Sequence, residues 1–168
     1  MATFPLPFRP TLSYKTGGRR FGANRDEGNR KHAGCDLIAP RGTEIYAVEG
    51  GVVETKPYLF YRGTYAVEFR LDSGKLVRYC EIEKLASGIT KGSPVSEGGL
   101  IAYVGKMYVS SMLHFELYEG SGSGPLTVRS NPPYQRRSDL IDPADYLDGC
   151  KMRTYQQPTG CLRGQIPA

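Results

Sequence analysis

Both histidines of the 168-residue chain lie in short runs that also carry carboxylates. His32 is followed four residues later by Asp36, and His114 lies two residues before Glu116. Neutral imidazole is the commonest protein ligand for transition metals, and a carboxylate is a usual third ligand in catalytic zinc sites. Two imidazoles and one carboxylate leave the fourth position of a tetrahedral zinc ion open to water. If they meet in space, His32, Asp36 and His114 predict a zinc site suited to metal-assisted hydrolysis.

Alternation along the second histidine segment predicts a strand with one open face. Side chains of a strand point to opposite faces in turn, so Met112, His114 and Glu116 share a face while the residues between them form an apolar face. The apolar face is expected to pack in the core, and His114 is expected to face a ligand. The same alternation places Tyr79 and Glu81 together on another predicted strand, opposite Arg78 and Cys80.

Composition and turn signals favour an all-β fold with long loops. The chain has 21 glycines and 12 prolines, which are typical of frequent turns. The predicted strands are 44–48, 51–54, 64–71, 76–82, 100–104 and 112–118. One helical turn is predicted from Asp142 and Pro143 to Leu147. Such a pattern predicts an antiparallel β-sheet in a single domain.

The domain organisation follows from changes in composition along the chain. Residues 1–18 read as an extended lead-in, 19–147 as the domain that holds the predicted zinc site, and 148–168 as a C-terminal tail. Cys150 and Cys161 could form a local disulfide in that tail, and the alternative is four reduced thiols. Cys35 and Cys80 could likewise pair beneath the site or remain free.

The charge balance favours an anionic partner. The formal net charge is +5, from 22 Lys and Arg against 17 Asp and Glu. The basic residues are dispersed and no nucleic-acid motif accompanies them, so we expect no nucleic-acid partner. No apolar run approaches the ~20 residues that span a bilayer, and the N-terminus lacks the pattern of a secretory signal. We therefore expect synthesis in the cytoplasm, without membrane insertion.

Several segments in the same order resemble the lysostaphin-type (LytM-like) zinc endopeptidases, which cut bacterial peptidoglycan. The resemblance covers roughly residues 19–147. It is carried by Phe21-Gly22-Ala23-Asn24-Arg25, by the run from His32 to Thr43 (H-A-G-C-D-L-I-A-P-R-G-T), by 47–53, by 91–105 and by Asp142-Pro143. It implies that His32, Asp36 and His114 are zinc ligands, and that the fold is an antiparallel sheet with a substrate groove (the duplicated hybrid motif architecture).

Two positions depart from the pattern of that family. The family has a histidine where Met112 stands, and a second catalytic histidine where Glu81 stands in the Tyr79-Cys80-Glu81 run. Two hypotheses follow. In one, Glu81 is the general base of an active zinc peptidase, with Tyr79 as a groove wall or a donor to the tetrahedral intermediate. In the other, the domain is inactive and only binds peptidoglycan or a protein.

The resemblance implies a role outside the cytoplasm. The expected substrate is the peptide part of bacterial peptidoglycan, reached after release or injection. Three settings fit: a phage endolysin, a virion-borne enzyme, or an antibacterial effector that has delivery machinery and an immunity protein as partners. The sequence does not choose among them.

Overall fold

The computed structural model describes residues 1–154, and these form a β-rich fold. The strands are β1 (Asn24–Arg25), β2 (Arg30–Lys31), β3 (Cys35–Ile38), β4 (Glu44–Tyr46), β5 (Gly51–Val53), β6 (Tyr58–Leu59), β7 (Tyr65–Leu71), β8 (Leu76–Leu85), β9 (Pro94–Val95), β10 (Leu100–Val104), β11 (Met112–Tyr118) and β12 (Leu140–Ile141). Helix α1 (Ala144–Gly149) follows the last strand. The predicted all-β class is confirmed.

Ten of these strands form one sheet, and β1 and β2 form a separate pair. The main path runs β12-β11-β8-β7-β5-β9, with β3 beside β11 and β10 beside β8 and β4. Every pairing between these strands is antiparallel. The expectation of an antiparallel sheet is therefore confirmed.

Two long hairpin strands and β11 form the centre of the sheet. Asp72 to Gly74 make the turn between β7 and β8, where Gly74 has a φ of 93° that suits glycine. In the register of β11, His114 lies opposite Asp36 of β3 on one side and opposite Cys80 of β8 on the other. This register brings together the two halves of the predicted site, although 78 residues separate Asp36 from His114 along the chain.

The apolar face of β11 packs into the main core as predicted. Leu113, Phe115 and Leu117 are buried in one cluster with the apolar side chains of β4, β7, β8 and β10. The predicted lead-in and tail add to the same cluster, through Phe4 and Leu6 at one end of the chain and Cys150 near the other. The segment 1–18 therefore packs with the domain that it precedes.

The cysteine alternatives are partly resolved by the structure. Cys35 and Cys80 are buried free thiols, so the two do not pair beneath the site. The predicted Cys150–Cys161 disulfide lies outside the described residues, because Cys161 follows residue 154. None of the helices within residues 1–154 has the length and apolar character needed to cross a bilayer.

Candidate metal centre

His32, Asp36 and His114 converge at one end of β3 and β11. The Nε2 atom of His32 lies 3.0 Å from Oδ1 of Asp36 and 3.0 Å from Nδ1 of His114. The Nδ1 atom of His114 lies 2.8 Å from the same Oδ1. The three atoms therefore form a compact triangle, and these residues form a group that could hold a metal ion.

The donor set and its spacing fit a tetrahedral divalent ion. Bonds of about 2.0–2.1 Å from zinc to nitrogen and oxygen require about 3.3 Å between ligand atoms. The observed edges of 2.8–3.0 Å need to open by only a few tenths of an ångström. Two imidazole nitrogens and one carboxylate oxygen are a catalytic type of donor set, because three protein ligands leave a position for water or substrate.

Each histidine is oriented by a hydrogen bond on its far nitrogen. Nδ1 of His32 lies 2.8 Å from the carbonyl oxygen of Arg20, to which it can only donate. Nε2 of His114 lies 3.0 Å from Oε1 of Glu116, which accepts its proton. These bonds orient the rings so that His32 Nε2 and His114 Nδ1 face Asp36, and a metal ion bound there would take the place of any proton on these two nitrogens.

Glu116 is fully buried beneath His114 and is held by a network of its own. Its Oε1 accepts hydrogen bonds from His114 and, at 2.9 Å, from Nε of Arg136. Its Oε2 accepts from Arg78 at 3.3 Å and from the hydroxyl of Tyr118 at 2.6 Å. Burial raises the pKa of Glu116, but the His114 hydrogen bond and the two guanidinium charges outweigh that effect and hold it well below its usual range. The carboxylate therefore stays charged.

The pKa values of the three central groups reflect the same contacts. Burial lowers the pKa of His114, yet hydrogen bonds to Asp36 and Glu116 outweigh burial and raise it to about 9. Burial raises the pKa of Asp36, but the two imidazoles outweigh it and the pKa falls below its ordinary value. Burial lowers the pKa of His32. Asp36 is therefore a carboxylate at neutral pH, as a metal ligand must be.

A groove of about 780 Å³ opens above this triangle. Residues lining the groove include His32, Asp36, Phe60, Glu81, Met112 and His114. The ring of Phe60 stacks near that of His114, with centroids 5.9 Å apart, and the guanidinium carbon of Arg78 lies 4.8 Å from the Phe60 centroid. The candidate ligands are thus buried but open on one side to a space that can admit a peptide.

Glu81 enters the groove from β8, and its carboxyl group has no visible role in folding. It is only 8% exposed, and its Oε2 atom has no hydrogen-bond partner among residues 1–154. Burial raises the pKa of Glu81 to about 7, with a smaller opposing effect of His114 and a further rise from Asp36. A buried, unpartnered carboxyl group beside a candidate metal centre is typical of a functional residue.

The prediction that Tyr79 is a groove wall or a donor to the tetrahedral intermediate is wrong. Tyr79 is completely buried in the main core, where its ring meets Phe115 edge-on at 5.8 Å. Its hydroxyl accepts a hydrogen bond from the backbone N–H of Val48 at 3.1 Å. It neither lines the groove nor shares a face with Glu81, because an extra residue in β8 interrupts the alternation that the prediction assumed.

Several residues of the site have little or no signal in the sequence. Glu116 shares the predicted face of His114, so alternation indicated its position but not its role. Arg136 reaches Glu116 from a long loop, and the carbonyl of Arg20 reaches His32 from another. Arg25, whose guanidinium lies 3.4 Å from Oδ2 of Asp36, comes from the short strand β1. These contacts depend on tertiary structure alone.

The buried carboxyl of Glu81 predicts a pH-dependent cost to stability in protein stripped of metal. Its pKa is about 7 in the fold against an ordinary 4.5. Below pH 4.5 the group is protonated in both states, and as pH rises through 7 it must ionise in a buried site, so stability is lost. Relative to Glu81→Gln, the free energy of unfolding should fall by at most about 3 kcal/mol between these pH values. Denaturant unfolding of both proteins at pH 4.5 and 8 measures this, and a gap independent of pH would contradict it.

Known proteins are similar to this chain in sequence. The family model "Peptidase family M23" matches residues 30–126. "Peptidoglycan DD-endopeptidase ShyC" of Vibrio cholerae is 31% identical over 102 residues, and the match covers 59% of this chain but only 23% of that protein. The chain therefore corresponds to about a quarter of the length of this relative.

Solved structures share the fold. LytU is 26% identical with a TM-score of 0.60, over 82% of this chain and 89% of that one. The catalytic domain of lysostaphin from Staphylococcus simulans is 21% identical with a TM-score of 0.59, over 77% of this chain and 89% of that one. The similarity to the catalytic domain of lysostaphin is a similarity of fold. Both agree with the architecture that the sequence predicts.

Proposed function

Because the chain belongs to peptidase family M23, as its motifs predicted, we propose that it is a zinc-dependent endopeptidase that hydrolyses peptide bonds of bacterial peptidoglycan. The observation that carries this proposal is the triangle of His32 Nε2, Asp36 Oδ1 and His114 Nδ1 at the floor of an open groove. The name of the Vibrio cholerae relative supports the substrate class. The net charge of +5 suits an enzyme that works at an anionic wall.

In the proposed mechanism, His32, Asp36 and His114 hold the zinc ion. When bound, zinc supplies a Lewis acid that polarises the scissile carbonyl and lowers the pKa of a water molecule. Glu81 acts as general base: its carboxylate takes a proton from the attacking water and passes it to the leaving amine. Met112 lines the groove but has a thioether that cannot exchange a proton, so Glu81 is the group in place for this task.

The surrounding residues keep the ligands in position and limit access of water. Glu116 and the Arg20 carbonyl hold the two imidazoles, and Phe60 covers one side of His114. Arg25 lies beside the second oxygen of Asp36, so that this carboxylate has a partner on each oxygen. Such support keeps ligand geometry fixed while the fourth position is open.

Zinc analysis combined with mass spectrometry of digested peptidoglycan tests the function. We expect about one zinc per chain and new amino termini among the released muropeptides, both lost after treatment with a chelator and restored by zinc. A protein that sediments with peptidoglycan, binds no zinc and releases no fragments would overturn the proposal in favour of a binding module. The masses of the fragments also identify the bond that is cut.

The proposed enzyme would act in one of two settings. The enzyme would reach the cell wall as a phage endolysin or as an antibacterial effector released or injected into the periplasm. The two settings predict different neighbours in the genome. A neighbouring holin gene supports the first, and a neighbouring gene for an immunity-like protein with a signal peptide supports the second.

Replacing Glu116 by Gln should weaken zinc binding and destabilise the fold. The substitution removes the charge that His114, Arg78 and Arg136 share, and it leaves two guanidinium groups buried without a counter-charge. We expect about 10–100-fold weaker zinc binding and a loss of about 3–5 kcal/mol in the free energy of unfolding. Competition with a chromogenic chelator and denaturant unfolding measure the two effects.

Glu119→Gln is the matched control for that experiment. Glu119 lies three residues further along and pairs with Lys75 at the surface, where one ion pair contributes about 0–1 kcal/mol. We expect parental zinc affinity in this control. Unchanged zinc affinity in the Glu116 variant would show that the buried carboxylate does not support His114.

A further inference from the structure

The backbone of Glu81 adopts a conformation that non-glycine residues rarely take. Its φ is 63°, in the left-handed region. Between β7 and β8 the register passes from Tyr65 opposite Ile82 to Ala66 opposite Cys80, so Glu81 is an unpaired extra residue in β8. Such a β-bulge redirects a side chain. Strain of this kind is typical of functional positions, where surrounding structure must hold it in place.

The end of β10 holds the carbonyl of this strained residue. The backbone N–H of Gly105 donates to the carbonyl oxygen of Glu81 at 2.8 Å. A Cβ atom added to Gly105 would lie 2.8 Å from the same oxygen, 3.0 Å from Cγ2 of Thr64 and 3.1 Å from the carbonyl carbon of Ile82. Two of these three neighbours are backbone atoms, so any larger residue must push the bulge away.

Thr64 closes the other side of this contact. It is buried, and its hydroxyl donates to the carbonyl of Tyr61 at 2.6 Å. Its own backbone N–H donates to the same carbonyl at 2.9 Å. Because Thr64 is fixed by two hydrogen bonds, it cannot yield easily to a side chain at position 105.

We infer that Gly105 is a positioning residue, whose lack of a side chain lets β10 hold the Glu81 bulge so that the carboxylate faces the groove. The inference rests on the proposed function, in which Glu81 is the general base. Without the bulge, regular alternation would continue from Tyr79 and point the side chain of Glu81 toward the core. The position of the base therefore depends on a residue that is not among those lining the groove.

Kinetics of Gly105→Ala in the full chain test the inference, with a soluble cross-linked peptidoglycan fragment as substrate. We expect kcat to fall about 100-fold while KM and zinc content stay near the parental values, because the base is displaced and binding is not. Gly99→Ala is the matched control. Gly99 also donates to a carbonyl, that of Ser96, at 2.9 Å, and its added Cβ would lie 2.9 Å from that oxygen and 2.7 Å from Cγ1 of Val95, and neither residue lines the groove. We expect parental kcat in this control even if its thermal stability falls.

A double-mutant cycle separates positioning from general damage. In a Glu81→Gln background there is no base to misplace, so adding Gly105→Ala should cause little further loss of kcat. If Gly105→Ala lowers kcat by the same factor in both backgrounds, it acts by another route and the inference is overturned.

The strain itself is tested by comparing Glu81→Gly with Glu81→Ala. Both remove the carboxyl group, but only glycine takes a φ of 63° without steric cost. We expect the melting temperature of Glu81→Gly to be about 2–4 °C higher than that of Glu81→Ala. Equal melting temperatures would show that the bulge is not strained and would overturn this part of the inference.

Crystal structures of the two alanine variants make the inference independent of the proposed function. If the parent protein cleaves no peptidoglycan, the proposed function fails, and the positioning is then judged on the coordinates alone. We expect Glu81 to leave the positive φ region and the groove in Gly105→Ala, and to keep both in Gly99→Ala. An unmoved Glu81 in Gly105→Ala would refute the inference even in an active enzyme.

Discussion

Changing Asp36 to Asn should abolish both zinc retention and hydrolysis of peptidoglycan. Oδ1 of Asp36 is the atom shared by both imidazoles, at 3.0 Å from His32 and 2.8 Å from His114. An amide has nearly the same shape, so the fold should persist, but the site loses its one negative ligand. Loss of the metal removes several kcal/mol of transition-state stabilisation, which corresponds to a rate more than about 10³-fold lower.

Zinc content after dialysis against a weak chelator, and the rate of release of amino termini from peptidoglycan, measure this prediction. Asp145→Asn is the control, because Asp145 is an exposed residue of helix α1, outside the groove. We expect about one zinc per chain and the parental rate in the control, and neither in Asp36→Asn. Full zinc occupancy with parental hydrolysis in Asp36→Asn would remove Asp36 from the ligand set and the triangle from the mechanism.

The parts of the site that the sequence predicts are those encoded locally. His32 and Asp36 lie on one short run that turns into β3, and strict alternation along β11 fixes the face of His114. Once both strands are recognised, an antiparallel register places Asp36 opposite His114. The apolar residues between them identify the core face, which is why the fold class could also be predicted.

The parts that could not be predicted depend on neighbours remote in sequence. The bulge at Glu81 is a register shift in the pairing of β8 with β7, and neither strand alone encodes it. Alternation alone therefore assigned Tyr79 to the groove, whereas it lies in the core. Burial of Phe4 likewise needs the finished sheet, since the flanking prolines read as an extended lead-in.

The same bulge explains how the carboxylate of Glu81 reaches the groove. In a regular strand, the side chain of Glu81 would point to the face opposite that of Cys80. It would then face the core and could not reach the groove. Because of the extra residue, Cys80 and Glu81 lie on the same side of the sheet as His114. Cys80 is paired with His114 between β8 and β11, and Glu81 lines the groove. Because Met112 offers no proton acceptor, the proposed mechanism depends on this one side chain.

Glu81→Gln should therefore lower kcat by about 10²–10⁴-fold, the usual contribution of a general base, while zinc content stays at the parental level. Gln has nearly the same volume, and the carboxyl oxygen that it replaces has no hydrogen-bond partner in the described part of the chain, so packing should persist. The rate of amino-terminus release and zinc analysis on the same preparation separate loss of the base from loss of the metal.

Glu83→Gln is the matched control, since Glu83 lies two residues further along β8 and pairs at the surface with Arg41. Its loss removes one exposed ion pair, of about 0–1 kcal/mol, and no group of the groove. We expect the parental kcat in this control. If Glu81→Gln also cleaves at the parental rate with zinc bound, then Glu81 does not take the proton. In that case the strain at Glu81 would need an explanation other than catalysis.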